Sequence, residues 1–181
     1  MNRVRRLLSR LLLVAGCAVL LLAAPAARAA AANDVFLGYS RTGSDTFYPH
    51  TGGLNGIEGS VFIHFKPFIG AEGDVAHYGF GASAGVPHTT TFMIGPRVIF
   101  GAAGFRLMAH GLIGGEHSAN NDGGVLPISA TSYAYVLGVG VDVPLVPFFA
   151  WRIQADRISA PSVSPASGTH ARFGTGLVFR F

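Results

Sequence analysis

The sequence predicts an all-β fold, an eight-stranded antiparallel up-and-down transmembrane β-barrel preceded by an N-terminal signal peptide, and three observations predict it. First, the chain runs out in an alternating segment. Phe173, Thr175, Leu177, Phe179 and Phe181 fall on one face, and Arg172, Gly174, Gly176, Val178 and Arg180 on the other. Successive side chains of a strand point to opposite faces. Such a strand would be an aggregation-prone edge in water, whereas hydrocarbon favours the apolar face and a closed barrel has no edge. Second, seven similar alternating segments precede it, each close to the roughly ten residues that a tilted strand needs to cross a bilayer. Third, their connections alternate between long and short.

Residues 1–29 read as the signal peptide. Arg3, Arg5, Arg6 and Arg10 form a charged n-region, Leu11 to Leu22 an apolar h-region, and Ala27-Arg28-Ala29 a small-x-small cleavage site. Val14-Ala15-Gly16-Cys17 has the form of a lipobox, but apolar residues continue past Cys17 to Leu22, so the cysteine reads as part of the h-region. The chain is formally +4, yet five of its 13 Lys+Arg precede the cut, leaving eight against nine Asp+Glu. The remaining domain, residues 30–181, is near neutral, so charge gives no support to a nucleic-acid partner. Without Cys17 it has no cysteine for a disulfide or a thiolate metal site. No later stretch approaches the roughly 18 consecutive apolar residues of a membrane helix. An integral protein of this sequence must span as a barrel.

The strands are expected in the following order. Asp34 to Arg41 sets Val35, Leu37 and Tyr39 against Phe36, Gly38 and Ser40, and a polar loop, Thr42 to Gly53, follows. Leu54 to Phe65 sets Ile57, Val61, Ile63 and Phe65 outside and Glu58, Ser60, Phe62 and His64 inside. Lys66-Pro67 turns tightly into Phe68 to His77, where Ile69, Ala71 and Val75 oppose Gly70, Glu72 and Asp74. Gly79 to His88 is a glycine-rich loop. Thr89 to Phe100 puts Phe92, Ile94, Val98 and Phe100 out and Met93, Gly95 and Arg97 in; Pro96 cannot donate a ladder bond, so a bulge or local break is expected there. After the turn Gly101 to Gly104, Phe105 to Gly115 places Phe105, Leu107, Ala109 and Ile113 outside and Arg106, Met108, His110 and Leu112 inside. Glu116 to Thr131 reads as the longest loop. Ser132 to Val143 alternates Tyr133, Tyr135, Leu137, Val139 and Val141 with Ala134, Val136, Gly138, Gly140 and Asp142. Pro144 to Pro147 turns into Phe148 to Ile158, with Phe149, Trp151, Ile153 and Ala155 opposite Arg152, Gln154 and Asp156. Ser159 to Thr169 is a loop before the last strand.

Short turns on one side and longer loops on the other match the arrangement of bacterial outer-membrane barrels, whose short side is periplasmic; both termini are then periplasmic. Tyr39 and Tyr133 toward the loops, and Phe65, Phe100, Trp151 and Phe181 toward the turns, fall where aromatic girdles belong.

The mature chain resembles the small eight-stranded bacterial outer-membrane barrels of the OmpA-type transmembrane class. The likeness is carried by Leu54–Ser60 (LNGIEGS), Gly70–Asp74 (GAEGD), Gly140–Pro144 (GVDVP), Arg152–Asp156 (RIQAD) and Gly176–Phe181 (GLVFRF). It implies outer-membrane localisation and, for Gly176, Phe179 and Phe181, an assembly signal read by the barrel-assembly machinery during insertion; Gly174 stands where the family usually has a polar residue. It also implies outer-membrane lipid and lipopolysaccharide as surroundings. It implies little about activity, because members differ in role.

The inward positions collect most of the charge. Glu58, Glu72, Asp74, Glu116, Asp142 and Asp156 are six of the nine acids after the cut, and Arg97, Arg106, Arg152, Arg172 and Arg180 five of the eight bases. An eight-stranded barrel is just wide enough for side chains to fill. A lumen closed by ion pairs is therefore expected, with inward glycines making room for long arginines. The reading that follows is a structural or surface-interaction barrel acting through its loops. The alternatives are a small channel gated by rearranged ion pairs and a lipid A-modifying enzyme. For the last, Glu116, His117 and Ser118 supply the residue types of a hydrolytic triad, but strand neighbours point to opposite faces, and the deacylase pattern would place its serine at Ala119. His50, His77, His88, His117 and His170 sit at loop ends without a compact ligand spacing. Asn120-Asn121-Asp122-Gly123-Gly124 lacks the spacing and terminal glutamate of an EF-hand. Gly-x-Gly pairs lie in strands and open no helix. No catalytic residue, cofactor or metal is assigned.

Overall fold

The computed structural model describes residues 33–43, 53–79, 88–102, 104–120, 128–160 and 168–181. The signal segment 1–29 with Cys17, the loop centres, His50 and Asn121 to Gly124 lie outside the described residues. Eight strands form one closed antiparallel barrel in sequential order: β1 (Asp34–Thr42), β2 (Asn55–Lys66), β3 (Ile69–Tyr78), β4 (His88–Ala102), β5 (Phe105–Asn120), β6 (Ile128–Val146), β7 (Phe149–Ala160) and β8 (Gly168–Arg180). Closure pairs β1 with β8 from Asp34↔Arg180 to Thr42↔Arg172, so the alternating terminal segment finds its partner in the first strand.

Register fixes which side chains share a height. Asp34 pairs directly with Arg180 on β8. Followed the other way round, through Phe62, Glu72, Gly95, Val136 and Ile158, the row returns to β8 at His170, ten residues nearer the loops. This stagger tilts the strands and leaves an interior that side chains can fill.

The two faces divide sharply by polarity. Leu37, Ile63, Ile94, Ile113, Leu137, Val139 and Phe173 all lie on the outer wall, and Ile113 is 68% exposed. Trp151 and Phe179 also face out, with the Trp151 indole donating to Thr175 Oγ1 at 2.8 Å. Arg97, Arg152 and Arg172 are fully buried inside. Three apolar clusters share the interior with them: Met93, Leu112, Ala134, Val136, Ile158 and Ala160 toward the loops; Phe62, Ile99 and Met108, and Phe36, Ala150 and Val178, toward the turns.

One segment differs from the sequence-based expectation. In Glu116 to Thr131, polar enough to read as loop, the described residues 116–120 and 128–131 are strand: His117 faces Thr131, Ser118 faces Ala130 and Asn120 faces Ile128. One polar pair is satisfied across the ribbon, with His117 Nδ1 2.8 Å from Thr131 Oγ1. At Pro96 the expected alternatives resolve as a local break without a bulge. The β4–β5 register runs from Ile94↔Ile113 straight to Arg97↔His110, with only the intervening pairings interrupted. Register shifts occur instead beside two tight turns, at His64/Lys66 and Pro144/Val146. In the turn between β4 and β5, Gly104 adopts φ +87°, a backbone conformation glycine enters without a Cβ penalty.

Candidate functional site

The interior charges assemble into two tiers whose heights follow from the strand register. On the turn side, Asp34 is the hub. Its carboxylate accepts from Arg97, from Arg106 at 3.1 Å and from Arg152 at 3.2 Å. Arg152 also donates from Nε to Asp142 Oδ1 at 2.7 Å, and Arg180 reaches Asp142 Oδ2 at 3.2 Å. Arg97 donates to Glu72 Oε1 at 2.9 Å, and its guanidinium lies 3.8 Å from the centre of the Phe62 ring. Each strand delivers these groups by its alternation: a charge two residues from an inward aromatic or glycine shares its face.

On the loop side, Arg172 is the hub. It donates from Nη1 to Asp74 Oδ1 at 2.8 Å and from Nε to Asp156 Oδ2 at 2.6 Å, and it lies 3.5 Å from Glu58 Oε1. The Gln154 amide donates to the same Glu58 oxygen at 2.5 Å. Tyr78 closes this tier toward the loops, its hydroxyl 3.2 Å from Ser40 Oγ.

His110 joins the tiers. Its Nδ1 lies 2.8 Å from Glu72 Oε2 and its Nε2 3.0 Å from Asp156 Oδ1. With a carboxylate at each ring nitrogen, only the doubly protonated imidazole donates to both. Six carboxylates (Asp34, Glu58, Glu72, Asp74, Asp142, Asp156) then meet five guanidiniums and one imidazolium. Buried charges persist only when paired and hydrogen-bonded.

The structure therefore brings together Glu58, Glu72, Asp74, Arg97, Arg106, Asp142, Arg152, Asp156, Arg172 and Arg180 in one lumen network. Glu116 also faces inward, near the loop end. Sequence reasoning missed three members. Asp34 shares the inward face of Phe36 but opens its strand, and the parity that placed Phe36 inside could have found it. His110 and Gln154 are inward by parity; what they bridge depends on cross-lumen register.

Inward glycines make the space these groups occupy. A Cβ on Gly138 would strike Asp156 Oδ1 and His110 Nε2, and one on Gly174 would come within 3.1 Å of Glu58 Oε2. At the closing seam, a Cβ on Gly176 would meet the Gly38 backbone. Phe179 and Phe181, the aromatic pair at the chain's end, stack 6.0 Å apart on the outer wall.

The residue types of a hydrolase are not brought together. Glu116 is turned into the lumen, His117 is exposed and bonded to Thr131, and Ser118 Oγ lies 3.0 Å from Thr89 Oγ1. His77 and His88 stack at 6.1 Å, but among the described residues no group of three His, Asp or Glu side chains is arranged to hold a metal ion.

No protein-family model matches the chain, and no curated protein sequence does. Solved structures do. Neisserial surface protein A (NspA) aligns with TM-score 0.63 at 12% identity, covering 83% of this chain and 96% of that one. Ail, the attachment invasion locus protein of Yersinia pestis, aligns with TM-score 0.58 at 18% identity over 83% and 99%. The N-terminal β-barrel domain of Pseudomonas aeruginosa OprF aligns with TM-score 0.59 at 12% identity over 82% and 97%. At such identities the likeness is one of architecture, and the architecture is that of the eight-stranded outer-membrane β-barrels.

Proposed function

We propose that this chain is an integral protein of the bacterial outer membrane, with both termini in the periplasm, a lumen sealed by its ion network, and a structural or surface-interaction role exerted through the loops between β1 and β2, β3 and β4, β5 and β6, and β7 and β8. The observation that carries this reading is the inverted polarity of the barrel. Apolar side chains cover the outside, and the charges are buried within. In water this arrangement exposes an apolar wall far larger than a soluble monomer tolerates; in a bilayer it satisfies every strand. The names of two similar structures, a surface protein and an attachment invasion protein, agree with a surface role.

The pairing supports a sealed lumen. Arg97, Arg152 and Arg172 span the bore between carboxylates on different strands. The separation of His117 from Glu116 and Ser118 speaks against lipid hydrolysis. Outer-membrane lipid and lipopolysaccharide are its surroundings, and the barrel-assembly machinery is its route of insertion.

The test is heat-modifiable migration of the membrane-fraction protein, followed by surface proteolysis of the loops and planar-bilayer recording. A heat-shifted band, loop cleavage from outside the cell and no steady conductance are expected. Recovery as a soluble periplasmic protein would overturn the membrane assignment. A steady conductance comparable to a general porin would overturn the sealed lumen.

A further inference from the structure

The β5–β6 ladder runs out to Asn120↔Ile128, whereas the β6–β7 ladder stops at Tyr135↔Ser159. From Ile128 to Ala134, β6 therefore pairs with β5 and, among the described residues, with no strand on its other side. No other strand end keeps so long an unmatched run among the described residues. The direction of its free backbone groups follows from the register. Arg180 N donates to Phe148 O at 2.9 Å, so every second residue from Ala150 to Ala160 turns its backbone groups to β8, and those from Phe149 to Ser159 turn theirs to β6. Tyr135↔Ser159 is then a hydrogen-bonded pair. By the same alternation Tyr133, Thr131 and Ser129 aim their N–H and C=O groups at the open side.

The sequence explains why the ladder stops. Its next bonded pair would set Pro161 against Tyr133, and proline has no N–H to donate to that carbonyl. The open run carries none of the features that blunt an edge. Ile128–Ala134 (ISATSYA) has no charged residue and no proline, and its register with β5 is unbroken. Unmatched backbone groups are too costly for hydrocarbon, so this run belongs outside it. Tyr133, 87% exposed at the loop-side girdle, marks the boundary. The free donors and acceptors recur at every second residue, roughly 6.8 Å apart, a spacing that another extended chain reproduces.

We propose that this edge receives an extended peptide segment of another protein, which adds to β6 as a further strand. Its backbone bonds to Ser129, Thr131 and Tyr133, and its β-branched or aromatic side chains at alternate positions pack beside Thr131 and Tyr133, which face outward. A second copy in the same membrane fits poorly: related by an axis along the membrane normal, its tilted β6 would cross this one instead of running alongside it. This names a partner class for the surface-interaction role and rests on the outer-membrane reading, in which the loop side lies outside the cell.

The test titrates the refolded protein in detergent micelles with a fluorescein-labelled peptide of alternating threonine and valine, a lysine at each end, and reads anisotropy. Saturable binding is expected, with slowed hydrogen exchange at the Ser129, Thr131 and Tyr133 amides. Thr131→Pro removes a donor that β5 does not use and should weaken binding about tenfold. Thr131→Val keeps that donor and should bind as the parent does, and the peptide N-methylated at every residue should not bind. No binding by the parent overturns the site, and so does equal binding by Thr131→Pro or of the N-methylated peptide. Self-association of the parent that Thr131→Pro abolishes also overturns it, by giving the edge to a second copy. Heat-modifiability of the same samples separates the two readings: a parent protein that shifts on heating but does not bind loses the edge site and keeps the barrel, whereas one that shows no shift loses both.

Discussion

Arg152 and Asp34 stand 118 positions apart in the chain and 3.2 Å apart in the lumen, where Nη2 of the arginine donates to Oδ1 of the aspartate. The same carboxylate also serves Arg97 and Arg106. Asp34→Asn keeps the shape and removes the charge from three guanidiniums at once. Breaking a buried pair costs about 3–5 kcal/mol, so the urea midpoint of the refolded protein should fall clearly. Adding Arg106→Gln should restore part of the loss by removing one of the stranded charges. An unchanged midpoint in Asp34→Asn would remove Asp34 as the hub.

His110 is expected to matter as a donor more than as a filler. His110→Leu leaves Glu72 Oε2 and Asp156 Oδ1 without the ring between them, a loss of about 1–3 kcal/mol for each buried acceptor left unsatisfied. His110→Gln keeps one amide donor and should unfold at a urea concentration between those of His110→Leu and the parent. Equal midpoints for the two variants would show that the ring serves only as packing.

Two glycines make a matched pair of probes. Gly138→Ala drives a methyl group into Asp156 and His110, whereas nothing lies within 4 Å of a Cβ on Gly73, on the outer wall. Gly138→Ala should lower unfolding stability by about 1–3 kcal/mol, and Gly73→Ala should stay within about 0.5 kcal/mol of the parent. The same denaturation series checks both, and similar values for the two would contradict the packing around Gly138.

A depth series on one strand tests the outer wall. Val139, midway along β6, and Leu145, at its turn end, are 60% and 56% exposed. In lipid vesicles Val139→Arg should cost about 2–4 kcal/mol, and Leu145→Arg about 0–1 kcal/mol. Arginine at either position in a water-soluble barrel would cost little, so equal small penalties would argue that this wall does not meet hydrocarbon.

Period-two alternation made the strands and their inward faces legible, since each strand's parity is set by a few large apolar residues such as Leu37, Ile63 or Leu137. Strand ends were harder. Thr131, Ser132 and His117 lack any apolar face, and only pairing with one another shows that β5 and β6 continue through them. The lumen charges could be read singly but not as partners, because a stagger of ten residues decides which strand brings Arg172 beside Asp74. Pro96 sits on a register that continues on both sides of it, so one missing donor proved too weak to shift the sheet. The separation of His117 from Ser118 needed nothing beyond alternation.

The hub at Asp34 has a consequence for how the protein is made. Its arginines come from β4, β5 and β7, and its strand closes the ring by pairing with β8. Until the two sheet edges meet, the aspartate and its partners remain ions facing oil, each several kcal/mol above its place in water. A half-built sheet therefore has no stable home in the bilayer, and threading across the membrane and sealing the ring must proceed together, as one event.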